Sequence, residues 1–237
     1  MVTTVDENKP LLLNEIKNDE NFIKPSICSI ITIVLTVLIG DASRGILFPT
    51  LWLLIESFGG HNIHQGIAVA SFSAGRIISS PILGHYSEIY GYKYILILSN
   101  LVIIVGCLVY MSARYIWMIF LAQWIIGFGA GTLGVTRAYV VEYAQKQNRT
   151  VYIAYLTAVQ YGGFTITPAF GACLSALAFK SSDKYHSTST SILNQYSIPA
   201  FFLILLSVIG ITFCIVGFEE KTCEYRNLIN VNMIFTM

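Results

Sequence analysis

Long segments that contain no charged residue constrain the fold of this chain more than any other feature. Residues 94–113, 115–136, 151–179 and 197–218 hold no Asp, Glu, Lys or Arg. A helix that crosses a membrane needs roughly 20 predominantly apolar residues. Each of the four segments reaches that length, so each is predicted to span a bilayer.

Two earlier segments are equally long but carry embedded charges. Residues 26–55 are apolar apart from Asp41 and Arg44, and residues 65–87 are apolar apart from Arg76. Neither fits the amphipathic pattern of a soluble helix, and we count both as spans. The sequence therefore predicts an all-α membrane protein whose partner is the lipid bilayer, with six transmembrane helices near 26–57, 65–87, 94–112, 115–139, 151–179 and 197–218.

The basic residues predict which side the tails occupy. Six spans place the tail 1–25 and the tail 219–237 on one side of the membrane. Lys and Arg accumulate in cytosolic segments, so a cytosolic location is expected for both termini. Eight basic residues fall on that side and three on the other: Lys9, Lys17, Lys24, Lys93, Lys146, Arg149, Lys221 and Arg226, against Arg114, Lys180 and Lys184.

Several classes of function find no support in the sequence. The formal net charge is +1, which gives no reason to expect a nucleic-acid partner. No Ser/His/Asp set, HExxH motif or P-loop is present. We therefore expect that the chain is not an enzyme, that it has no catalytic residues and that it binds no cofactor. His61 and His64 have a His-x-x-His spacing, a weak metal signal. We interpret them as solvated loop residues and predict no metal site.

Three charged residues lie deep within predicted spans. Asp41 and Arg44 are three positions apart, so they share one face of the first helix, and Arg76 lies near the midpoint of the second. Such groups are costly in a bilayer unless paired or hydrated. Two interpretations stay open: the three residues line a pathway for an ion or anionic solute, or Asp41 forms a structural pair with Arg44 or Arg76.

A short loop between the second and third spans carries the first specific motif. Residues 84–93 read GHYSEIYGYK, which resembles the signature loop G-x-x-x-D-R-x-G-R-K of the major facilitator superfamily. Glu88 takes the place of the acidic residue, and Gly91 and Lys93 match. We expect Gly84 to let two helices approach closely and Gly91 to allow a tight turn.

The fourth and fifth spans add to this resemblance. Residues 127–131 read GFGAG and resemble the glycine-rich stretch of the superfamily, although Gln123 stands where an arginine is usual. Small residues at this spacing predict close helix packing. Arg137 follows on the same helix and is a candidate partner for Glu88 or Glu142. Residues 163–171 resemble the antiporter motif, with Thr167 and Pro168 in place of its Gly-Pro pair. The packing and gating candidates are Gln123, Gly127, Gly129, Gly131, Arg137 and Pro168.

Longer stretches are similar to one branch of the superfamily. Residues 44–52, 71–81 and 137–140 resemble the vacuolar and lysosomal facilitators, a branch that contains ceroid-lipofuscinosis neuronal protein 7 and the SPX-domain transporters. Glu7, Leu11 and Leu12 fit the acidic dileucine sorting pattern of its lysosomal members. The resemblance implies a lysosomal or vacuolar membrane.

The resemblance covers residues 26–218 and implies the six-helix N-terminal half of a twelve-helix transporter. The implied function is transport of a small solute or anion. A proton-coupled mechanism would most simply use Asp41, because it is the acid that lies deep in a predicted span. The alternatives are an anion channel-like protein on the same scaffold and a non-transporting membrane interaction protein. Three explanations for a missing C-terminal half are open: a truncated product, a homodimer in which a second copy takes its place, or a non-transporting binding partner. We favour truncation, because residues 219–237 hold no further span.

Overall fold

The computed structural model describes residues 27–143, 149–182 and 198–217. Side chains are described for 28–141, 149–176 and 198–217. The predicted tails, the sorting residues Glu7, Leu11 and Leu12, and most of the segment between the last two spans lie outside these ranges.

The described chain folds into helices, and no strand occurs within it. The seven α-helices, numbered in chain order, are α1 (Ile27–Ser57), α2 (Asn62–Tyr90), α3 (Tyr92–Met111), α4 (Ile116–Gly129), α5 (Leu133–Tyr143), α6 (Arg149–Ser182) and α7 (Ile198–Gly217).

Most of the predicted spans coincide with helices that are long and apolar enough to cross a membrane. Five segments meet that description: Cys28–Ser57, Asn62–Tyr90, Tyr92–Met111, Ile116–Val141 and Ile198–Gly217. The remaining predicted span, 151–179, is the 34-residue helix α6. It is not among the five, because Tyr, Thr, Gln and Gly are interspersed with its apolar residues. Helix α2 extends three residues beyond the predicted limits at each end.

The predicted fourth span is not one continuous α-helix. A 3₁₀ turn, Ala130–Thr132, separates α4 from α5. The turn lies at the end of the GFGAG stretch, where glycines lower the helix propensity. A short 3₁₀ segment of this kind often marks a hinge or a strained position within a longer helix.

The helices pack in a definite order. α1 packs mainly against α6 and α7, α2 packs against α4, and α3 lies between α4 and α7. One core cluster includes Ile46, Phe72 and Ile126, and a second includes Tyr92 and Val135. Large apolar side chains also cover the outer surface, among them Ile77, Trp117 and Val216. An outer surface of this kind suits a lipid environment.

Hydroxyl side chains within the helices bond to their own helix backbone. Thr36 Oγ1 donates to the carbonyl of Thr32 at 2.9 Å, and Ser43 Oγ donates to the carbonyl of Gly40 at 2.7 Å. The bilayer core offers no water to satisfy a polar group. These local bonds satisfy the hydroxyl donors of Thr36 and Ser43 within the span.

Candidate functional site

An ion pair joins the first two helices deep inside the bundle. The Nη1 atom of Arg76 on α2 donates to Oδ1 of Asp41 on α1 at 2.7 Å. The side chain of Asp41 is 4% exposed and that of Arg76 is 19% exposed. The structure therefore selects Arg76 over Arg44 as the partner of Asp41, because α2 brings a guanidinium directly to the carboxylate.

Arg44 is held by aromatic rings. Its guanidinium carbon lies 5.7 Å from the ring centroid of Phe72 on α2 and 5.3 Å from that of Phe164 on α6. A guanidinium over a ring face is attracted by the electron density of the ring. Among the side chains that the structure describes, no acidic group forms an ion pair with Arg44. The arginine is half-buried.

The antiparallel course of α1 and α2 explains why these contacts occur together. Asp41 and Arg44 lie about one turn apart on α1, and Phe72 and Arg76 lie one turn apart on α2. Because the two helices run in opposite directions, Asp41 meets Arg76 and Arg44 meets Phe72. The sequence pattern alone did not indicate Phe72, although its place one turn before Arg76 puts both on one helix face.

Helix α6 reaches Arg44 through close packing on α1. A side chain at Gly45 would overlap Thr167 and lie 3.1 Å from the Cδ of Pro168. Phe164 lies about one turn before these two residues, so the same face of α6 carries its ring toward Arg44. Nothing in the sequence pattern marks Phe164 beyond its position one turn before a proline.

Prolines leave backbone acceptors next to this arginine. Pro49 and Pro168 lie inside α1 and α6. A proline has no N–H to donate to the residue four positions earlier, so the helix does not satisfy the carbonyls of Gly45 and Phe164 in the usual way. In a membrane such carbonyls are tolerated where a neighbour or a water-lined cavity satisfies them.

Two buried oxygens near the charged residues have no hydrogen-bond partner in the described structure. They are Oδ2 of Asp41 and Oγ1 of Thr167. An unpaired buried polar atom costs free energy and calls for a partner such as water, an ion or a solute. We call Asp41, Arg44 and Arg76 the charged cluster. Oxygen atoms in and beside this cluster are therefore able to form further hydrogen bonds.

Glycines bring α4 against its neighbours. A side chain at Gly127 would overlap the carbonyl oxygen of Phe72, and one at Gly131 would overlap the hydroxyl of Ser79, both on α2. Gly129 instead faces α3, where its added Cβ would lie 2.8 Å from the carbonyl oxygen of Ser99. Gln123 is 4% exposed and lies one turn before Gly127. The glycine-rich stretch thus packs closely against α2, the helix that carries Phe72 and Arg76.

Comparison with known proteins gives the family. A family model described as Major Facilitator Superfamily matches residues 33–222, well over half of the chain. The chain belongs to the major facilitator superfamily. It is therefore a multi-pass membrane protein of a transporter family, with the half-fold architecture predicted from its motifs.

Individual relatives within the superfamily are distant. The chain is 25% identical over 240 residues to major facilitator superfamily domain-containing protein 8 of Xenopus laevis, covering 96% of this chain and 47% of the relative. It is 29% identical over 153 residues to the class H tetracycline resistance protein of Pasteurella multocida, covering 63% and 38%. It is 24% identical over 174 residues to protein ZINC INDUCED FACILITATOR 1 of Arabidopsis thaliana, covering 71% and 36%. The chain spans about half or less of each relative.

The superfamily signature loop forms the turn between α2 and α3. Gly91 has a φ angle of 97°, a conformation that favours glycine, and its N–H donates to the carbonyl of Ser87 at 3.1 Å. Lys93 Nζ donates to the carbonyl of Ile215 near the end of α7 at 2.9 Å. The loop is thereby anchored to the last helix.

One expectation about this loop, a close helix approach at Gly84, is not met, and one of the two candidate partners of Arg137 does not pair with it. Nothing lies within 4 Å of the Cβ position of Gly84, so the expected close helix approach is absent there, since this face of α2 points away from the described bundle. Arg137 and Glu88 are both exposed and form no ion pair in the described part of the chain. The side chain of Glu142 lies outside the described residues.

An aromatic contact, not anticipated from the sequence, occupies the loop position where the superfamily pattern has a basic residue. Tyr92 stands there, and its ring packs edge to face against Tyr139 of α5, with centroids 5.2 Å apart. Both side chains are buried. Burial of two rings thus connects the start of α3 to α5.

The two histidines begin helix α2. The backbone N–H of His61 donates to Nδ1 of His64 at 3.0 Å, and the His64 ring stacks on Phe120 with centroids 6.4 Å apart. His64 is therefore half-buried within the first helical turn, and its interpretation as a solvated loop residue is wrong. Among the described residues no group of three or more metal-ligating side chains occurs.

A concavity whose lining includes none of the charged cluster lies beside α2 and α3. It has a volume of about 710 Å³ and is lined mainly by α2 and α3, with Tyr86, Tyr90 and Tyr94 among its walls. Its lining contains no charged side chain.

Proposed function

We propose that this chain is the N-terminal six-helix half of a transporter that moves a small solute, in particular an anion, and that Asp41, Arg44 and Arg76 line the pathway. Arg44 carries the proposal, because it is a mid-span cation without an acidic partner among the described residues. One carboxylate and two guanidinium groups give the cluster a formal excess of one positive charge. Ionisable groups at this depth are costly and usually serve a pathway.

A second six-helix unit would complete the pathway. The chain spans 47% of its Xenopus laevis relative, and transporters of this architecture place the solute between two repeats. The second unit is either a C-terminal half or another copy of this chain. We expect proteoliposomes with the purified chain alone to show little solute flux, and robust flux without a partner would favour the dimer.

The compartment and orientation belong to the same proposal. The resemblance of residues 44–52 and 71–81 to the vacuolar and lysosomal branch, together with the dileucine pattern, supports an endolysosomal or vacuolar membrane. The distribution of basic residues supports cytosolic termini.

Uptake assays test the proposed pathway. In the full-length transporter, Arg76→Ala and Asp41→Asn are expected to abolish anion uptake when uptake is normalised to the amount of each variant in the membrane. Arg114→Ala is a matched control, since Arg114 is exposed between α3 and α4. Normal uptake by both cluster variants would assign the ion pair a purely structural role.

A further inference from the structure

The surroundings of Arg44 narrow the chemistry of the solute. Its guanidinium lies over two rings that come from different helices, Phe72 on α2 and Phe164 on α6. Among the described residues, this guanidinium forms no hydrogen bond and no ion pair. The N–H donors lie along its edge, in a fixed fork.

We propose that Arg44 binds the carboxylate of a small organic monoacid, so that the transported anion is a monocarboxylate rather than a halide. This inference rests on the proposed transport function and specifies its substrate class. A guanidinium edge matches the two oxygens of a carboxylate through parallel hydrogen bonds. A spherical halide cannot accept two parallel hydrogen bonds in that geometry, so it is attracted mainly by the positive charge of the guanidinium.

The charge of the cluster favours a monovalent anion. Asp41 and Arg76 are paired at 2.7 Å and neutralise each other, which leaves the single positive charge of Arg44. One carboxylate would bring the site to neutrality. A divalent anion would leave an unpaired negative charge within the membrane, where an unpaired charge is expensive.

The ring of Phe164 supplies a surface for the organic part of the acid. Phe72 is buried, whereas Phe164 is 40% exposed beside the guanidinium. An apolar body attached to the carboxylate can therefore cover this ring while the carboxylate meets the edge of Arg44. Burying apolar surface adds affinity that an inorganic anion cannot gain.

Binding to the purified 237-residue chain in lipid nanodiscs tests the inference, with benzoate, chloride and inorganic phosphate as probes. We expect benzoate to bind at least about tenfold more tightly than chloride or phosphate. Arg44→Lys keeps the charge but removes the fork, and a loss of about tenfold in benzoate affinity is expected. Arg114→Lys is the matched control and should leave benzoate affinity unchanged.

Phe164→Leu provides a second test that does not touch a charge. The substitution keeps an apolar side chain and removes the ring, and benzoate affinity should fall by about threefold to tenfold. Each variant is compared only after gel filtration shows a monodisperse protein.

Three results would overturn the inference: chloride binding as tight as benzoate, full benzoate affinity in Arg44→Lys, or no benzoate binding by the wild-type chain. The first leaves the proposed anion transport intact. In every case that proposal is judged separately, by the uptake of the Asp41 and Arg76 variants.

Discussion

Asp41 on α1 accepts a hydrogen bond of 2.7 Å from Arg76 on α2, although Arg44 lies only three positions away on its own helix. The interhelical pair connects two spans that otherwise contact each other little along their length. It also leaves Arg44 free of its nearest acid. One contact thus links the two helices and leaves the positive charge of Arg44 without an acidic partner among the described residues.

The ion pair predicts a specific effect on stability. Arg76→Met removes the guanidinium and leaves the Asp41 carboxylate buried without a charged partner. A loss of about 3–5 kcal/mol is typical when one member of a buried pair is removed. Thermal unfolding of the purified chain in detergent should show a clearly lowered midpoint, whereas Arg114→Met should not.

The double variant Asp41→Asn/Arg76→Met completes this test. With both charges removed, no buried charge is left uncompensated, and the unfolding midpoint should recover much of the loss. Equal midpoints for the single and double variants would show that the pair contributes nothing beyond the packing of Arg76.

Two glycines predict opposite responses to the same substitution. Gly127→Ala adds a methyl group that would overlap the backbone of Phe72, whereas Gly84→Ala adds one into open space. Overpacking typically costs about 1–3 kcal/mol, while alanine in an open helical site gains roughly 1 kcal/mol over glycine. The unfolding midpoint should fall for Gly127→Ala and stay level or rise for Gly84→Ala. A reversed order would contradict the α2–α4 interface.

A proton-coupled mechanism would use Asp41. It is an acid deep in a span, and its Oδ2 atom has no hydrogen-bond partner within the described structure. Protonation would neutralise the carboxylate and release Arg76. We expect an imposed pH gradient to drive anion uptake by the full-length transporter and Asp41→Asn to remove that response. Uptake that ignores the gradient in the wild-type protein would exclude this role.

The N-terminal segment predicts the cellular destination. Glu7, Leu11 and Leu12 lie outside the described residues, and their sorting role remains a prediction from the sequence. Leu11→Ala/Leu12→Ala should redirect the protein from lysosomes to the cell surface, as measured by surface biotinylation and co-localisation. Leu13→Ala is the adjacent control. Lysosomal delivery of the double variant would remove the sorting hypothesis.

Local features of the sequence explain which expectations succeeded. Five of the six predicted spans lie on single helices and the fourth on two helices joined by a 3₁₀ turn. A run of apolar residues specifies burial in lipid without reference to the rest of the chain. Gly91 adopts the expected turn, since a positive φ angle is a local requirement. The 3₁₀ break at Ala130–Thr132 was not anticipated, because glycine lowers helix propensity without fixing the residue at which a helix breaks.

The sequence by itself determined the medium, the succession of apolar helices and the superfamily, since these follow from hydropathy and local motifs. Only the tertiary structure decided that Asp41 pairs with Arg76 and that Arg44 lies between Phe72 and Phe164. A spacing of three residues places Asp41 and Arg44 on one face and permits either pairing. The choice depends on the register of α2 and α6 against α1, which is set by packing among residues far apart in the chain.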